Sequence, residues 1–234
     1  MTNKEKLYNL THNHEHTGNW SGKTVGVSES VCEYLDTLYP NTKCFLNHQN
    51  DYQLLFAVIM SAQSQDRVVN SVTPTLFTKY PSLESLANAD LNSVIDIIKI
   101  VGLAPTKAKN IIKSAQILIE RFNGIVPKDR EDLMSLPGVG YKTASVVRGE
   151  LFNLNEFPVD THVNRVMLRL NIASKNDSPK DLEQKLVKLY SGDNMIHFHR
   201  QVITFGREIC IAGKNCHCDK CQLPWCKNRR IVNN

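Results

Sequence analysis

Lys142 and Asp160 are the side chains of this sequence best placed for covalent chemistry. Lys142 follows the stretch Leu136-Pro137-Gly138-Val139-Gly140-Tyr141, and Asp160 lies further on in Val159-Asp160-Thr161-His162. A lysine attacks carbon only as the free amine, so such a role calls for desolvation or neighbouring positive charge. The start of a helix is a useful place for it. Pro137 fixes φ, Gly138 and Gly140 permit the left-handed backbone of a tight turn, and helical spacing resumes through Val146, Val147 and Leu151. The first N–H groups of such a helix are unpaired, which makes the turn an anion site, and the macrodipole there disfavours a protonated amine. Taken alone, Pro-Gly-Val-Gly equally suits a plain connector between helices, and a single lysine suits a solvated surface. Asp160 fits a helix N-cap, because Thr161 to Val166 has helical spacing. A cap carboxylate stays ionised and held, so the cap and a catalytic role are compatible.

A second chemistry lies near the C-terminus. Five of the seven cysteines, Cys210, Cys216, Cys218, Cys221 and Cys226, crowd into one short stretch. The polar start Met1-Thr2-Asn3-Lys4-Glu5-Lys6 has no signal-peptide core, so a cytoplasmic, nucleoid-associated protein is expected, where thiols stay reduced. Metal ligation by thiolates is then the reading for the cluster. His12, His14 and His16 alternate in a polar segment that reads as a flexible tail.

The elements that must position these residues are helices. Ser28 to Leu38 places Val31, Tyr34, Leu35 and Leu38 on one face, and Leu54 to Met60 is the longest apolar run. Further helices are predicted over 68–79, 82–88, 90–100, 105–122, 129–135, 141–152, 160–170, 178–190 and 194–209, with Pro74 positioned to kink or shorten the first. Strand patterns and fixed repeats are absent from the sequence, so the fold class is all-α. No apolar run approaches the roughly 18 residues of a membrane span. The formal charge of +5 and the pI near 8.8 lean toward a polyanionic partner.

Leu136 to Ala144 together with Val159-Asp160-Thr161-His162 resembles the helix–hairpin–helix and following loop of the endonuclease III family. Ser61-Ala62-Gln63-Ser64-Gln65-Asp66 is similar to that family's Ser-Ala-Gln segment. Val101-Gly102-Leu103, followed by Lys107-Ala108-Lys109-Asn110-Ile111-Ile112, matches another stretch. The resemblance spans roughly residues 28 to 228. It implies a six-helix lobe over 46–155 containing the hairpin and a discontinuous helical lobe of 26–45 plus 156–234 carrying an iron–sulfur cluster loop, while 1–25 remains the polar segment read as a flexible tail. Lys142 and Asp160 then meet at a cleft between the lobes.

The activity implied by this resemblance is that of a bifunctional DNA glycosylase and AP lyase acting on oxidised pyrimidines, a monomer on double-stranded DNA carrying damaged bases or abasic sites. Lys142 takes the role of nucleophile toward the sugar C1′ of an extruded nucleotide, and Asp160 that of the essential carboxylate. β-Elimination then cuts the strand 3′ to the abasic site. Gln63 fills the gap in the duplex. Leu136, Gly138, Val139 and Gly140 form the backbone grip, and Lys214 lies near the tip of a loop that touches phosphate. The family holds a [4Fe–4S] cluster with four cysteines spaced by six, two and five residues. The best match here is Cys210, Cys218, Cys221 and Cys226, with gaps of seven, two and four, which leaves Cys216 spare. Zinc is the alternative ion.

Two further readings are a monofunctional adenine or mismatch glycosylase of the same superfamily and, from another class, a non-catalytic DNA-binding module. Adenine-removing relatives place a glutamate where this chain has Ala57 and a serine where it has Lys142. A mere binder has no use for Lys142 and Asp160. One departure touches the nucleophile itself, since relatives commonly carry a basic residue where this chain has Tyr141.

Overall fold

The computed structural model describes residues 23–190, 194–213, 216–223 and 226. His12, His14, His16 and Lys214 lie outside them. The described residues form eleven α-helices and no strand, so the fold is all-α. In chain order these are α1 (Lys23–Leu38), α2 (Asp51–Ser61), α3 (Asp66–Lys79), α4 (Leu83–Ala87), α5 (Leu91–Ile98), α6 (Ala104–Phe122), α7 (Arg130–Met134), α8 (Tyr141–Phe152), α9 (Thr161–Arg169), α10 (Pro179–Leu189) and α11 (Met195–Glu208). Pro74 stands inside α3, which nonetheless runs on to Lys79. The chain divides into two compact units, one of Cys44–Glu156 and one drawn from both chain ends, up to Lys43 and from Phe157 onward.

The Cys44–Glu156 unit is built around α2. Asn50 starts that helix by accepting from the Gln53 amide, and every residue from Gln53 to Met60 is buried. A helix apolar all round must be wrapped by others, and α3, α6 and α8 pack against it. Burying side chains such as Leu54, Phe56 and Ile59 stabilises the unit by about 1.5–3 kcal/mol each. The short helices α4, α5 and α7 start at Ser82, Asp90 and Asp129, whose side chains accept first-turn amides. Capping of this kind lets helices of a turn or two form where propensity alone does not suffice. The unit closes where buried Glu156 takes hydrogen bonds from Arg130 and from Arg148, the latter at 2.5 Å.

In the other unit α11 is central, burying Met195, Ile196, Phe198, Val202, Ile203 and Phe205 against α9 and α1. Polar bonds fix how the N-terminal helix meets it. Gln201 Nε2 donates to Asp36 Oδ1 at 2.8 Å and to the Tyr39 carbonyl at 3.1 Å, and Tyr39 Oη donates to Glu208 at 3.1 Å. Phe157 is fully buried and packs edge-on to Phe198, at 5.5 Å, and to His199, at 5.3 Å. His199 Nε2 also pairs with the Pro158 carbonyl at 2.9 Å, which pins the segment leading to Asp160.

Candidate active site

In the Cys44–Glu156 unit the glycine turn joins α7 to α8. Leu136 and Val139 are buried, and the Val139 amide donates to the Leu136 carbonyl at 3.1 Å. Their side chains therefore belong to the core, and what they can offer a ligand is backbone alone. Gly138 has φ +83°, and a Cβ there would lie 2.8 Å from Asn110 Nδ2 and 3.2 Å from Ile59 Cγ2. Glycine is thus required at this position by conformation and by close packing on α6 and α2. Gly140, the N-cap of α8, has an extended backbone with φ −95°, and a Cβ there would meet nothing within 4 Å. Neither strain nor packing demands glycine at Gly140. Its bareness leaves open ground before the helix head, where no side chain caps the first amides.

Lys142 is the second residue of α8 and its side chain is exposed. Tyr141 lies under the Arg130 guanidinium, whose centre is 4.2 Å from the ring centroid. Arg130 Nη1 also donates to Ser145 Oγ at 2.8 Å and to the Tyr141 carbonyl at 3.4 Å. A cation therefore stands at the first turn of α8, supplied from α7 and balanced by buried Glu156. Such a long-range stack leaves no periodic trace in sequence.

Gln63 lies in the same unit, just past the end of α2, exposed and left-handed at φ +56°. A non-glycine residue there is strained by roughly 1–2 kcal/mol. Leu103 repeats the pattern at the head of α6, with φ +61° and 60% exposure. The two loops are joined, because Ser64 Oγ accepts from the Gly102 amide at 3.2 Å. Beneath them lies Lys107, only 4% exposed, whose Nζ donates to the Met60 carbonyl at 2.7 Å, the Ala62 carbonyl at 2.5 Å and Ser64 Oγ at 3.1 Å. Burial lowers its pKa, and three acceptors offset the water it gives up. Sequence reasoning passed over Lys107. The signal was its place on the stripe Ala104, Lys107, Ala108, Ile111, Ala115, Leu118, all of which are buried.

In the other unit Asp160 is the N-cap of α9 and accepts from the Val163 amide at 2.7 Å, as its helical context predicted. His162 Nδ1 faces Arg165 Nη2 at 3.1 Å. Burial pushes the His162 pKa down, as do Arg165 and Arg207, while Asp160 pulls it up. Arg165 and Arg169 reach from α9 to the cysteine segment. Arg165 Nε donates to the Cys210 carbonyl at 3.0 Å, and Arg169 Nη1 to the Ile211 carbonyl at 2.7 Å and to Cys210 Sγ at 3.2 Å.

All five clustered cysteines line one cavity, together with Leu170, Phe205, Ile209 and Leu223. Burial above all, with neighbouring thiols adding, pushes Cys216 up to about 12 and Cys221 up to about 11. Cys216 and Cys218 are 3.0 Å apart at sulfur. Among the described residues no set of three His, Cys, Asp or Glu side chains is in place to hold a metal ion. Five cysteine sulfurs lining one cavity nevertheless form a donor set that suits a positively charged centre, whose charge favours ionised thiols. No helix among the described residues is long and apolar enough to cross a membrane.

A family model described as HhH-GPD superfamily base excision DNA repair protein matches residues 56–191. The endonuclease III of Bacillus subtilis (strain 168) is 40% identical over 195 residues, covering 83% of this chain and 89% of its own. Among solved structures, a trapped covalent intermediate of endonuclease III with DNA is similar at a TM-score of 0.81 and 36% identity, over 87% of this chain and 95% of that one. A non-covalent endonuclease III–DNA complex is similar at the same TM-score of 0.81 and 38% identity, with the same 87% and 95% covered.

Proposed function

The chain belongs to the HhH-GPD superfamily of base excision DNA repair proteins, and from that premise we propose a bifunctional DNA glycosylase and AP lyase of the endonuclease III type. Its substrate is duplex DNA carrying oxidised pyrimidines or abasic sites, met by a monomer at the chromosome. The observation that carries the reading is the head of α8, where an open glycine turn with uncapped amides immediately precedes an exposed lysine. Amides of that kind receive a backbone phosphate, which sets the strand in register without reading its sequence.

The reacting carbon is out of reach in stacked DNA, so the nucleotide is first extruded, with Gln63 filling the gap. The Lys142 amine forms a bond to C1′ as the bond from C1′ to the base breaks, and the base leaves with that electron pair and a proton. Ring opening gives the Schiff base. Loss of a proton from C2′ then expels the 3′ phosphate and cuts the strand. Asp160, held by its cap bond, stabilises the positive charge developing on the sugar and assists the proton transfers. Cys210, Cys218, Cys221 and Cys226 would hold a [4Fe–4S] cluster, which supplies structure by fixing the loop they belong to.

Borohydride added during reaction with an abasic-site duplex is expected to trap a protein–DNA adduct. Lys142→Ala abolishes it. An adduct at wild-type yield from that variant would remove Lys142 as the nucleophile.

A further inference from the structure

Helix α2 ends in a way its own sequence cannot complete. Its last turn holds no basic residue, yet its carbonyls carry the negative end of the helix dipole and lack helical partners. The missing cation comes from α6. An ammonium has three donors, and those of Lys107 go to the Met60 carbonyl, the Ala62 carbonyl and Ser64 Oγ. Among the described residues no carboxylate forms an ion pair with it. Two of its acceptors flank Gln63, whose left-handed conformation is strained and so must be held by its surroundings. The tie to Ser64 runs on, since its Oγ also accepts from the Gly102 amide and thereby fixes the loop that presents Leu103.

We propose that Lys107 is a positioning residue for the duplex wedge, clamping the Ala62 carbonyl on one side of Gln63 and the Ser64 hydroxyl on the other and, through that hydroxyl, the loop bearing Leu103. This inference rests on the proposed function. A wedge works only if its direction is fixed before it meets the base stack, because a side chain free to rotate away yields to the stack instead of replacing it. The lysine touches neither strand nor sugar in this role. Its effect is confined to opening the duplex, and that separates it from a residue that merely supports the fold.

The experiment compares wild type, Lys107→Met and Lys107→Arg on two substrates, an abasic site in a duplex and the same site in single-stranded DNA, where there is no stack to open. A fluorescent adenine analogue opposite the duplex site reports local unstacking. Expected for Lys107→Met are loss of the fluorescence rise and a fall in duplex cleavage of at least about tenfold, with single-strand cleavage within about threefold of wild type. Lys107→Arg restores part of the rise, as it keeps a cation and donors. Equal losses on both substrates, or an unchanged rise with unchanged duplex cleavage, overturn the proposal. Where circular dichroism shows that Lys107→Met is unfolded, Ser64→Ala decides. It removes the shared hydroxyl without stranding a charge, and a wild-type rise in that variant overturns the proposal whereas a diminished one supports it. Wild-type protein that cleaves neither substrate defeats the proposed function and this inference with it. Wild-type cleavage with an unaffected Lys107→Met defeats this inference alone.

Discussion

Asp160 carries two tasks, and a residue-scale experiment separates them. As N-cap of α9 it satisfies the Val163 amide, a role asparagine performs as well and alanine does not. Asp160→Asn is therefore expected to melt like wild type while losing orders of magnitude in rate, each factor of ten being about 1.4 kcal/mol. Asp160→Ala loses the rate and about 1 kcal/mol of stability besides. Melting curves and single-turnover cleavage test this, and near wild-type rates in Asp160→Asn would leave the carboxylate with a structural task only. His162, two residues on, makes the fold sensitive to acid. Burial, with Arg165 and Arg207, outweighs Asp160 and holds its pKa below the ordinary 6.5. Between the two pKa values the unfolded chain binds more protons than the folded one, so stability rises with pH there. It is fully present above about 6.5 and drains away as pH falls toward the folded value. Thermal melts across that window should show a slope that His162→Asn flattens, and identical slopes in the two proteins would refute the assignment.

At the scale of elements the two glycines of the hairpin do different things. Gly138 is demanded by the protein itself, through φ +83° and the 2.8 Å approach of Asn110 Nδ2. Gly138→Ala should cost about 1–3 kcal/mol, for strain and for the displaced neighbour. Gly140 has an ordinary backbone and empty space beyond it, so Gly140→Ala should cost only the difference between glycine and alanine at an N-cap, about 0.5–1 kcal/mol. Its methyl instead stands where a phosphate would approach, and affinity for an abasic-site duplex falls. Unchanged affinity in Gly140→Ala would mean that no phosphate comes there. The helices that hold this hairpin were legible in the sequence, because stripes such as Val146, Val147 and Leu151 repeat at the helical period and Pro and Gly punctuate them. The turn was legible for the same reason. What sequence could not display were ties between distant positions, such as the stack of Arg130 on Tyr141 or the clamp from Lys107 to the end of α2. These rest on three-dimensional proximity, and a charged residue on a buried stripe was the only local trace of the second.

For the whole molecule the consequence lies in how the unit of both chain ends is held together. Its cysteine segment is gripped from α9 by Arg165 and Arg169. It is gripped from α1 by Tyr34 Oη, which accepts from the Gln222 amide at 3.2 Å and donates to the Lys220 carbonyl at 3.4 Å. Thiols and apolar side chains from Leu170, Phe205 and Leu223 share the same cavity. A cluster bound there couples its binding energy to the order of α1, α9 and α11. The Cys44–Glu156 unit has its own core around α2 and needs no such support. Replacing Cys210, Cys218, Cys221 or Cys226 by alanine should therefore remove iron and the brown absorbance near 400 nm. It should also speed amide exchange in α1, α9 and α11 while leaving α2 to α8 protected. Cys216→Ala should keep iron, colour and protection. That last expectation is the sharpest, because Cys216 lines the cavity too and stands 3.0 Å from Cys218 at sulfur. Spacing along the chain favours Cys218, since only it keeps a two-residue gap to Cys221. Loss of iron in Cys216→Ala with retention in Cys218→Ala would reverse the choice of ligand. About one zinc and no iron in anaerobically purified protein would replace the cluster by a tetrahedral ion. Uniform loss of protection in both units would show that they do not fold as separate bodies.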